Sequence, residues 1–236
     1  MSDNNYRGSK KQWGLFIALL PLLLFGLFYL YTKRARADVS TMVFPEKMFA
    51  IGIDTIIGDG GYKTIDSVFY VIPDFDFTNQ YNQHISKADL KDKVLLINFF
   101  FTSCPSICPK MTAQLARVQE AFIRDDEVVL VSISIDPTRD TIQQLKEFAT
   151  EYGAIPGKWH FFTGDKEAIY QFAGAGLKLL AQSEGGDADH DGFIHSDRVV
   201  LVDPDWNIRG FYNGTDEKDV NFMMGDITLI MKEYTR

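Results

Sequence analysis

Two long apolar segments constrain the fold of this chain more than any other feature of its sequence. Residues 92–101 read DKVLLINFFF and residues 127–135 read EVVLVSISI, so neither segment alternates between apolar and polar positions. A strand with this pattern is covered on both faces, as in the centre of a parallel or mixed sheet. After the first segment, Met111, Leu115 and Val118 fall on one face of an amphipathic helix. The chain is therefore predicted to fold as an α/β sandwich with a mixed sheet.

The remaining segments add hairpins and helices to this sheet. Asp136 and Pro137 follow the second apolar segment, and we expect them to be the N-cap and the first residue of a helix that ends at Gly153. The other predicted elements are a hairpin around Asp59–Gly61, a hairpin turning at residues 79–82, a capping box at Ser86 and Asp89, a strand and a helix over residues 159–176, a hairpin over residues 197–214 that turns at residues 203–207, and a helix over residues 216–235.

The composition argues against two classes of protein. The 24 Lys and Arg residues and 32 Asp and Glu residues give a net charge of −8, and no basic run occurs beyond residue 36. Nucleic-acid binding needs a basic surface, so a nucleic-acid partner is not expected. The chain has only two cysteines, which are too few for a disulfide-built scaffold.

Both cysteines lie in one stretch, NFFFTSCPSICPKMT, at the turn between the first apolar strand and the helix that follows it. A thiol at a helix N-terminus has a lowered pKa, because the unpaired N–H groups and the helix dipole favour its thiolate. Cys104 and Cys108 are four residues apart, a spacing that puts two side chains on one helix face. Such a pair can close a disulfide, or it can bind one soft metal ion such as copper(I) or zinc.

A third ligand would favour metal binding over redox chemistry, and the chain offers four histidines. His84 in the second hairpin and His160 at the start of a strand are expected to be structural or solvated. His190 lies in an acidic loop, residues 185–192, which is also expected to be solvated. His195 directly precedes the strand RVVLV, where the predicted architecture could bring it to the strand-to-helix turn.

The chain resembles a known family in three segments, which occur in the family's order and read NFFFTSCPSICPKM, VSISIDPTRDT and FIHSDRVVLVDPDWNIRGFYNG. These segments are similar to the Sco/SenC family of membrane-anchored copper proteins over about residues 70–235. The resemblance implies a thioredoxin-like fold with an extra N-terminal hairpin. It also implies that Cys104, Cys108 and His195 bind one copper ion, Cu(I) or Cu(II). Asp136 matches the family's Ile-Asp-Pro element, although we interpret it first as a helix cap.

The same resemblance implies a metallochaperone that delivers copper to the copper site of cytochrome c oxidase, with the copper-accepting oxidase subunit as its partner. Turnover of a small-molecule substrate is not expected. Two alternatives use Cys104 and Cys108 as a redox pair: a thiol–disulfide oxidoreductase that reduces cysteines of a cuproprotein, and a redox-sensing module. The spacing argues against the first, because such enzymes usually carry Cys-x-x-Cys and a proline where this chain has residues 194–196, Ile-His-Ser.

The N-terminal part of the chain is predicted to be a membrane anchor. Residues 13–31 contain no charge and are about long enough to cross a bilayer, after a short tail of residues 1–12. Basic residues follow directly, which favours a retained anchor over a cleaved signal peptide. Residues 32–45 then form a linker and residues 46–236 the copper-binding domain. The flanking charges do not decide the orientation; the resemblance indicates a bacterial inner membrane with the domain in the periplasm.

Overall fold

The computed structural model describes residues 45–57, 63–179 and 197–235. A seven-stranded mixed sheet with the order β4-β3-β7-β6-β5-β8-β9 forms the centre, and β1 and β2 form a separate two-stranded sheet. The strands are Ala50–Ile57 (β1), Lys63–Phe69 (β2), Asp76–Asn79 (β3), His84–Ser86 (β4), Val94–Phe100 (β5), Val128–Ser134 (β6), Trp159–Thr163 (β7), Arg198–Val202 (β8) and Ile208–Asn213 (β9).

In the described part of the chain, four α-helices cover this sheet or connect its strands. They are Ile107–Ala121 (α1), Ile142–Glu151 (α2), Lys166–Gln171 (α3) and Glu217–Tyr234 (α4). A 3₁₀ turn spans Lys87–Leu90, and a π-helical turn, Phe172–Gly176, extends α3. The expected mixed α/β architecture is confirmed: β5, β6 and β7 are parallel, and β8 runs antiparallel beside β5.

The two apolar segments form the central strands, as predicted, and every residue of β5 and β6 is buried. Successive residues of a strand point to opposite faces, so β5 supplies both halves of the core. Leu96 and Phe100 pack in the cluster that includes the apolar faces of α1, α2 and α4. Leu95 and Ile97 pack in the cluster on the other face. Each such buried side chain contributes about 1.5–3 kcal/mol, so these strands hold the scaffold together.

The predicted start of the second helix is wrong. Helix α2 begins at Ile142, with Thr141 rather than Asp136 as its N-cap. Thr141 donates its backbone N–H to Gln144 Oε1 at 3.0 Å and completes a capping box with that residue. Residues 136–140 instead form a turn, in which the N–H of Asp140 donates to the carbonyl oxygen of Asp136 at 2.9 Å. This turn directs the Asp140 side chain inward.

The hairpins and the last helix are confirmed. Strand β1 pairs with β2, β3 with β4, and β8 with β9, all antiparallel. The turn around Asp59–Gly61 itself lies outside the described residues. The predicted capping box is also present, since Asp89 Oδ2 accepts from the backbone N–H of Ser86 at 2.8 Å. Helix α2 ends near Gly153, as expected, where a φ of 67° suits glycine.

The predicted anchor, most of the predicted linker, the acidic loop with His190 and also His195 lie outside the described residues. No helix in the described part of the chain combines the length and the apolar character needed to cross a bilayer.

Candidate metal centre

The two cysteines lie where β5 ends and α1 begins, as the sequence predicts. Strand β5 ends at Phe100 and α1 starts at Ile107, so Cys104 sits in the connecting loop and Cys108 in the first helical turn. Both are free thiols; Cys104 is half-buried and Cys108 is 5% exposed. The backbone N–H of Cys108 donates to Cys104 Sγ at 3.4 Å. The loop therefore folds back so that one sulfur sits at the start of the helix that carries the other.

Their surroundings move the two thiol pKa values in opposite directions. Partial burial raises the pKa of Cys104, but hydrogen bonds from the N–H groups of Ser106, Cys108 and Ile107 and from the Cys108 thiol outweigh it. The net pKa of Cys104 is therefore below its ordinary value. Burial raises the pKa of Cys108 to about 12, and the contact with Cys104 adds to this. At neutral pH the pair offers one activated sulfur and one protonated, sheltered one.

Two sulfurs in contact form a partial site for a soft metal ion. Within residues 45–57, 63–179 and 197–235, no three His, Cys, Asp or Glu side chains come together in a way that could hold a metal. Among the described residues, the thiol pair is therefore without a third His, Cys, Asp or Glu side chain grouped with it.

Two of the four histidines are described, and both lie away from the thiols. His84 is exposed on the edge strand β4, and its Nδ1 lies 3.2 Å from Asp76 Oδ1. Four strand spacings separate β4 from β5, which is roughly 19 Å. His160 is buried near the start of β7, where its ring stacks on Phe162 with centroids 5.7 Å apart. It pairs with Val131 in the middle of β6, and β7 is two strand spacings from β5.

The backbone that follows His195 returns to the thiol end of the sheet. Val199 of β8 pairs with Asn98, close to the end of β5. Just before that strand, the carbonyl oxygen of Asp197 accepts from the N–H of Gly214 at 2.7 Å. Gly214 lies against Met111, one turn along α1 from Cys108, because a Cβ built on Gly214 would meet Met111 Cγ at 2.7 Å. His195 itself lies outside the described residues, only two positions before this fixed point.

A buried carboxylate that the sequence pattern did not reveal lies behind the thiol loop. Asp140 is 0% exposed, and its Oδ2 accepts from the N–H of Thr102 at 3.1 Å and from Ser134 Oγ at 2.5 Å. Thr102 Oγ1 donates to the other oxygen at 2.5 Å. The motif DPTRDT contains two aspartates, and only Asp136 was predicted to have a role. That side chain points instead toward Arg139, at 3.6 Å.

A buried polar chain crosses the sheet beneath α1. Trp159 Nε1 donates to Ser132 Oγ at 2.9 Å, and Ser132 Oγ donates to Asn98 Oδ1 at 2.7 Å. Asn98 Nδ2 in turn lies 3.9 Å from Met111 Sδ. Buried polar groups are costly unless they are paired, so this chain fixes the register between β7, β6, β5 and α1. It therefore helps to hold the helix that bears Cys108.

Known proteins are similar to this chain along most of its length. The model of the SCO1/SenC family matches residues 65–232. The SCO1 protein homolog of Bacillus subtilis is 33% identical over 170 residues, which cover 71% of this chain and 86% of that protein.

Two solved structures have a similar fold. BsSco, a member of the Sco family of cytochrome c oxidase assembly proteins in which a disulfide switch was identified, matches with a TM-score of 0.58 and 32% identity, over 69% of this chain and 94% of that one. Arabidopsis thaliana ScoI with copper bound matches with a TM-score of 0.52 and 27% identity, over 69% and 99%.

Proposed function

Since the chain belongs to the SCO1/SenC family, we propose that it binds one copper ion through Cys104, Cys108 and His195 and delivers it to a copper site of cytochrome c oxidase. The observation that carries the proposal is the pair of free thiols in contact at the N-terminus of α1. The copper-bound ScoI of Arabidopsis thaliana supports the choice of metal.

The chemistry of the donor set fits copper. Thiolate sulfur is a soft ligand that selects Cu(I) and zinc over hard cations, and imidazole binds copper in either oxidation state. Two thiolates and one imidazole give a three-coordinate site for Cu(I), and Cu(II) can add an oxygen ligand. A site with few ligands at the end of a sheet suits transfer, because an acceptor can replace the ligands one at a time.

The thiol pKa values determine the order of events on binding. Cys104, whose pKa is lowered, supplies the first thiolate. Cys108 is protonated at neutral pH and loses its proton as the metal arrives, since metal binding requires the thiolate. Binding therefore releases protons, and copper affinity should fall as the pH drops.

The third ligand is proposed to be His195. Its support is the position of Asp197, which is fixed to Gly214 beside α1. Two residues of chain span at most about 7 Å, and this short separation from Asp197 is what supports His195 as the proposed third ligand.

The partner and the location are proposed from the family. BsSco belongs to a family of cytochrome c oxidase assembly proteins, which supports an oxidase subunit as the copper acceptor. The proposed location is a bacterial inner membrane, with residues 13–31 as anchor, residues 32–45 as linker and the domain of residues 46–236 in the periplasm. Cell fractionation followed by protease treatment of spheroplasts tests this: the domain should be membrane-bound and digested from outside.

A second function, reversible thiol–disulfide exchange, is supported by the activated sulfur of Cys104 beside Cys108. Attack of the Cys104 thiolate on an external disulfide, followed by attack of Cys108 on the mixed disulfide, forms the internal bond and reduces the external one. The internal disulfide removes both thiolate ligands, so it would release copper. The same pair can thus serve as a metal site when reduced and as a reductant of the acceptor's cysteines.

Copper stoichiometry and affinity of the full-length, reduced protein under anaerobic conditions test the proposed function. We expect one copper ion per chain in competition with a Cu(I) chelator. Copper binding should be weakened by more than about tenfold in each of the variants Cys104→Ser, Cys108→Ser and His195→Ala. A tenfold loss is the lower end of what is seen when only a residue that hydrogen-bonds to a metal ligand is removed, so loss of a ligand itself should cost more.

His84→Ala is the matched control, because it removes an exposed imidazole on the far edge of the sheet. It should bind copper like the parent. Full affinity in His195→Ala would remove that residue from the site, and parent-like binding by both cysteine variants would end the copper proposal.

A further inference from the structure

The buried carboxylate of Asp140 lies behind the thiol loop at the point where three segments meet. It is 0% exposed and sits one residue before Thr141, the N-cap of α2. Two hydroxyls and a backbone N–H donate to it: Thr102 Oγ1 at 2.5 Å, Ser134 Oγ at 2.5 Å and Thr102 N at 3.1 Å.

These bonds join segments that are distant in the sequence. Thr102 is the second residue after β5, and Ser134 is the last residue of β6. Ser134 Oγ also accepts from the N–H of Asp136 at 3.1 Å, which holds the turn before α2. The carboxylate of Asp140 therefore connects the carboxyl ends of the two central strands to the first residues of the thiol loop.

The loop between Thr102 and Cys108 is short, so the position of Thr102 restricts the position of the Cys104 sulfur. Cys104 is two residues beyond Thr102, and its N–H donates to the carbonyl oxygen of Phe101 at 3.2 Å. This turn brings Cys104 Sγ to the N–H of Cys108 at 3.4 Å. If Thr102 were released, the turn at residues 101–104 would lose its support, and the two sulfurs would no longer share a fixed separation.

We infer that Asp140 is the positioning residue of the thiol loop: through Thr102 it sets the distance between the sulfurs of Cys104 and Cys108. The inference rests on the proposed function in one respect, that this thiol pair is the working site. Asp140 contacts neither sulfur, so its effect is expected in the redox equilibrium and the copper affinity of the pair.

Two substitutions test the inference from either side of the contact. Asp140→Asn keeps the shape but replaces one acceptor oxygen with an NH₂ group, which cannot accept from the Thr102 N–H and requires a facing hydroxyl to turn from donor to acceptor. Thr102→Val removes one hydroxyl donor and keeps the backbone N–H and the branched side chain. Thr102→Ser restores the hydroxyl and should behave like the parent. Thr102→Val also carries the test if Asp140→Asn fails to fold.

Asp203→Asn is the matched control. Asp203 is also 0% exposed and accepts from Asn207 N at 2.8 Å and from Arg209 Nη1 at 2.9 Å. It follows β8 at the opposite end of the sheet, because Val202 pairs with Leu95 at the start of β5. The two Asp→Asn variants therefore remove equally buried carboxylates, only one of which lies beside the thiols.

The measurement is the midpoint potential of the thiol pair in full-length, copper-free protein, equilibrated in glutathione buffers and read by alkylation and mass. Asp140→Asn and Thr102→Val should change the disulfide equilibrium constant by about tenfold, which is about 30 mV for this two-electron couple. Thr102→Ser and Asp203→Asn should match the parent. Copper affinity, measured in parallel, should fall in the first two variants only.

An Asp140→Asn protein that is less stable but keeps the parent potential and copper affinity would overturn the inference and leave Asp140 a purely structural residue. A shift of the same size in Asp203→Asn would also overturn it, since the effect would then be a general loss of rigidity. The potential is measured without metal. If the parent protein bound no copper but Asp140→Asn still shifted the potential, the proposed function would be rejected and the inference about Asp140 would stand.

Discussion

The two ends of the central sheet each bury a carboxylate, and the two differ in what donates to it. At the thiol end, two hydroxyls and a backbone N–H donate to Asp140. At the opposite end, the guanidinium of Arg209 donates to Asp203 at 2.9 Å and to Glu233 of α4 at 2.7 Å. The same guanidinium donates to the carbonyl oxygen of Pro45. The buried carboxylate is thus bound in an ion-pair network at the Arg209 end of the sheet and by neutral hydrogen-bond donors at the thiol end.

Because of this difference, we expect the Arg209 end to determine mainly the stability of the fold and the Asp140 end to determine mainly the properties of the thiol pair. The Arg209 network joins the start of the described chain to the β8–β9 hairpin and the last helix, and Pro45 is 164 positions from Arg209 in the sequence. Breaking a buried ion pair leaves an uncompensated charge and is strongly destabilising. The segments at the thiol end are joined by single hydrogen bonds from neutral donors, each contributing about 0.5–3 kcal/mol. We therefore expect mutations at one end to change folding and at the other to change the site.

The largest effect is expected for Arg209→Ala. The side chains of Arg209 and Asp203 are 2% and 0% exposed, so the variant leaves Asp203 buried without its cation. The free energy of unfolding should fall by about 3–5 kcal/mol, measured by urea denaturation. Arg117→Ala, which removes an exposed pair at 3.7 Å, should change it by less than about 1 kcal/mol. The folded fraction of Arg209→Ala should keep the copper affinity of the parent. A lower copper affinity would contradict the view that this end of the sheet affects folding and not the thiol site.

A smaller loss of stability is expected for Gly214→Ala, at the thiol end. The new Cβ would lie 2.7 Å from Met111 Cγ and 2.8 Å from Val199 Cγ2, and both residues are fully buried. Overpacking of this kind costs about 1–3 kcal/mol. Because Met111 lies one turn from Cys108 on α1, copper affinity should fall together with stability.

Gly225→Ala is the control for this substitution. Gly225 lies within α4, and a Cβ added to it would have open space around it among the described residues. Alanine should therefore stabilise the helix by about 0.5–1 kcal/mol and leave copper binding unchanged. If Gly214→Ala were as stable as the parent, the close approach of Gly214 to α1 would not be a constraint on the site.

The thiol end itself should show a clear difference between its two sulfurs. Cys104 has a lowered pKa, and burial raises that of Cys108 to about 12. The thiolate fraction of Cys104 at pH 7 is therefore far larger, although a thiolate of low pKa is also the weaker nucleophile. With limiting iodoacetamide, Cys104 should react more than about tenfold faster, measured by peptide mass spectrometry. Equal rates, or faster labelling of Cys108 in Cys104→Ser than of Cys104 in the parent, would contradict this assignment.

The central strands and the position of the thiols could be predicted from the sequence, because both depend on local patterns. A mostly apolar run without alternation, such as residues 94–101, is typical of a strand covered on both faces, and the two cysteines follow it closely. The family resemblance is confirmed by the match of the SCO1/SenC model to residues 65–232. The predicted start of α2 was wrong because Asp136 and Pro137 form one local capping signal and Thr141 and Gln144 form another.

The role of Asp140 could not be predicted, because its bonds are not local. Thr102 is 38 positions away in the sequence, and the contact exists only once β5 and β6 pair in parallel register. A buried aspartate also looks like any surface aspartate in a single sequence. The same limit applies to His195: its proposed nearness to the thiols depends on β8 lying antiparallel beside β5, which no local pattern specifies.

The smallest effect, a pH dependence of stability, is expected from His160, a buried residue of β7. Burial lowers its pKa below 6.5, and its Nδ1 has no hydrogen-bond partner among the described residues. Between pH 6.5 and the lower pKa of the folded state, the histidine is therefore protonated in the unfolded chain but not in the folded one. The contribution of His160 to stability is thus complete above about pH 6.5 and is lost as the pH drops. The slope from this group is at most about 1.4 kcal/mol per pH unit. His160→Phe should reduce the slope between pH 7 and 5.5, and His84→Gln, at an exposed position, should not. An unchanged slope in His160→Phe would mean that the acid sensitivity of the scaffold arises from its carboxylates.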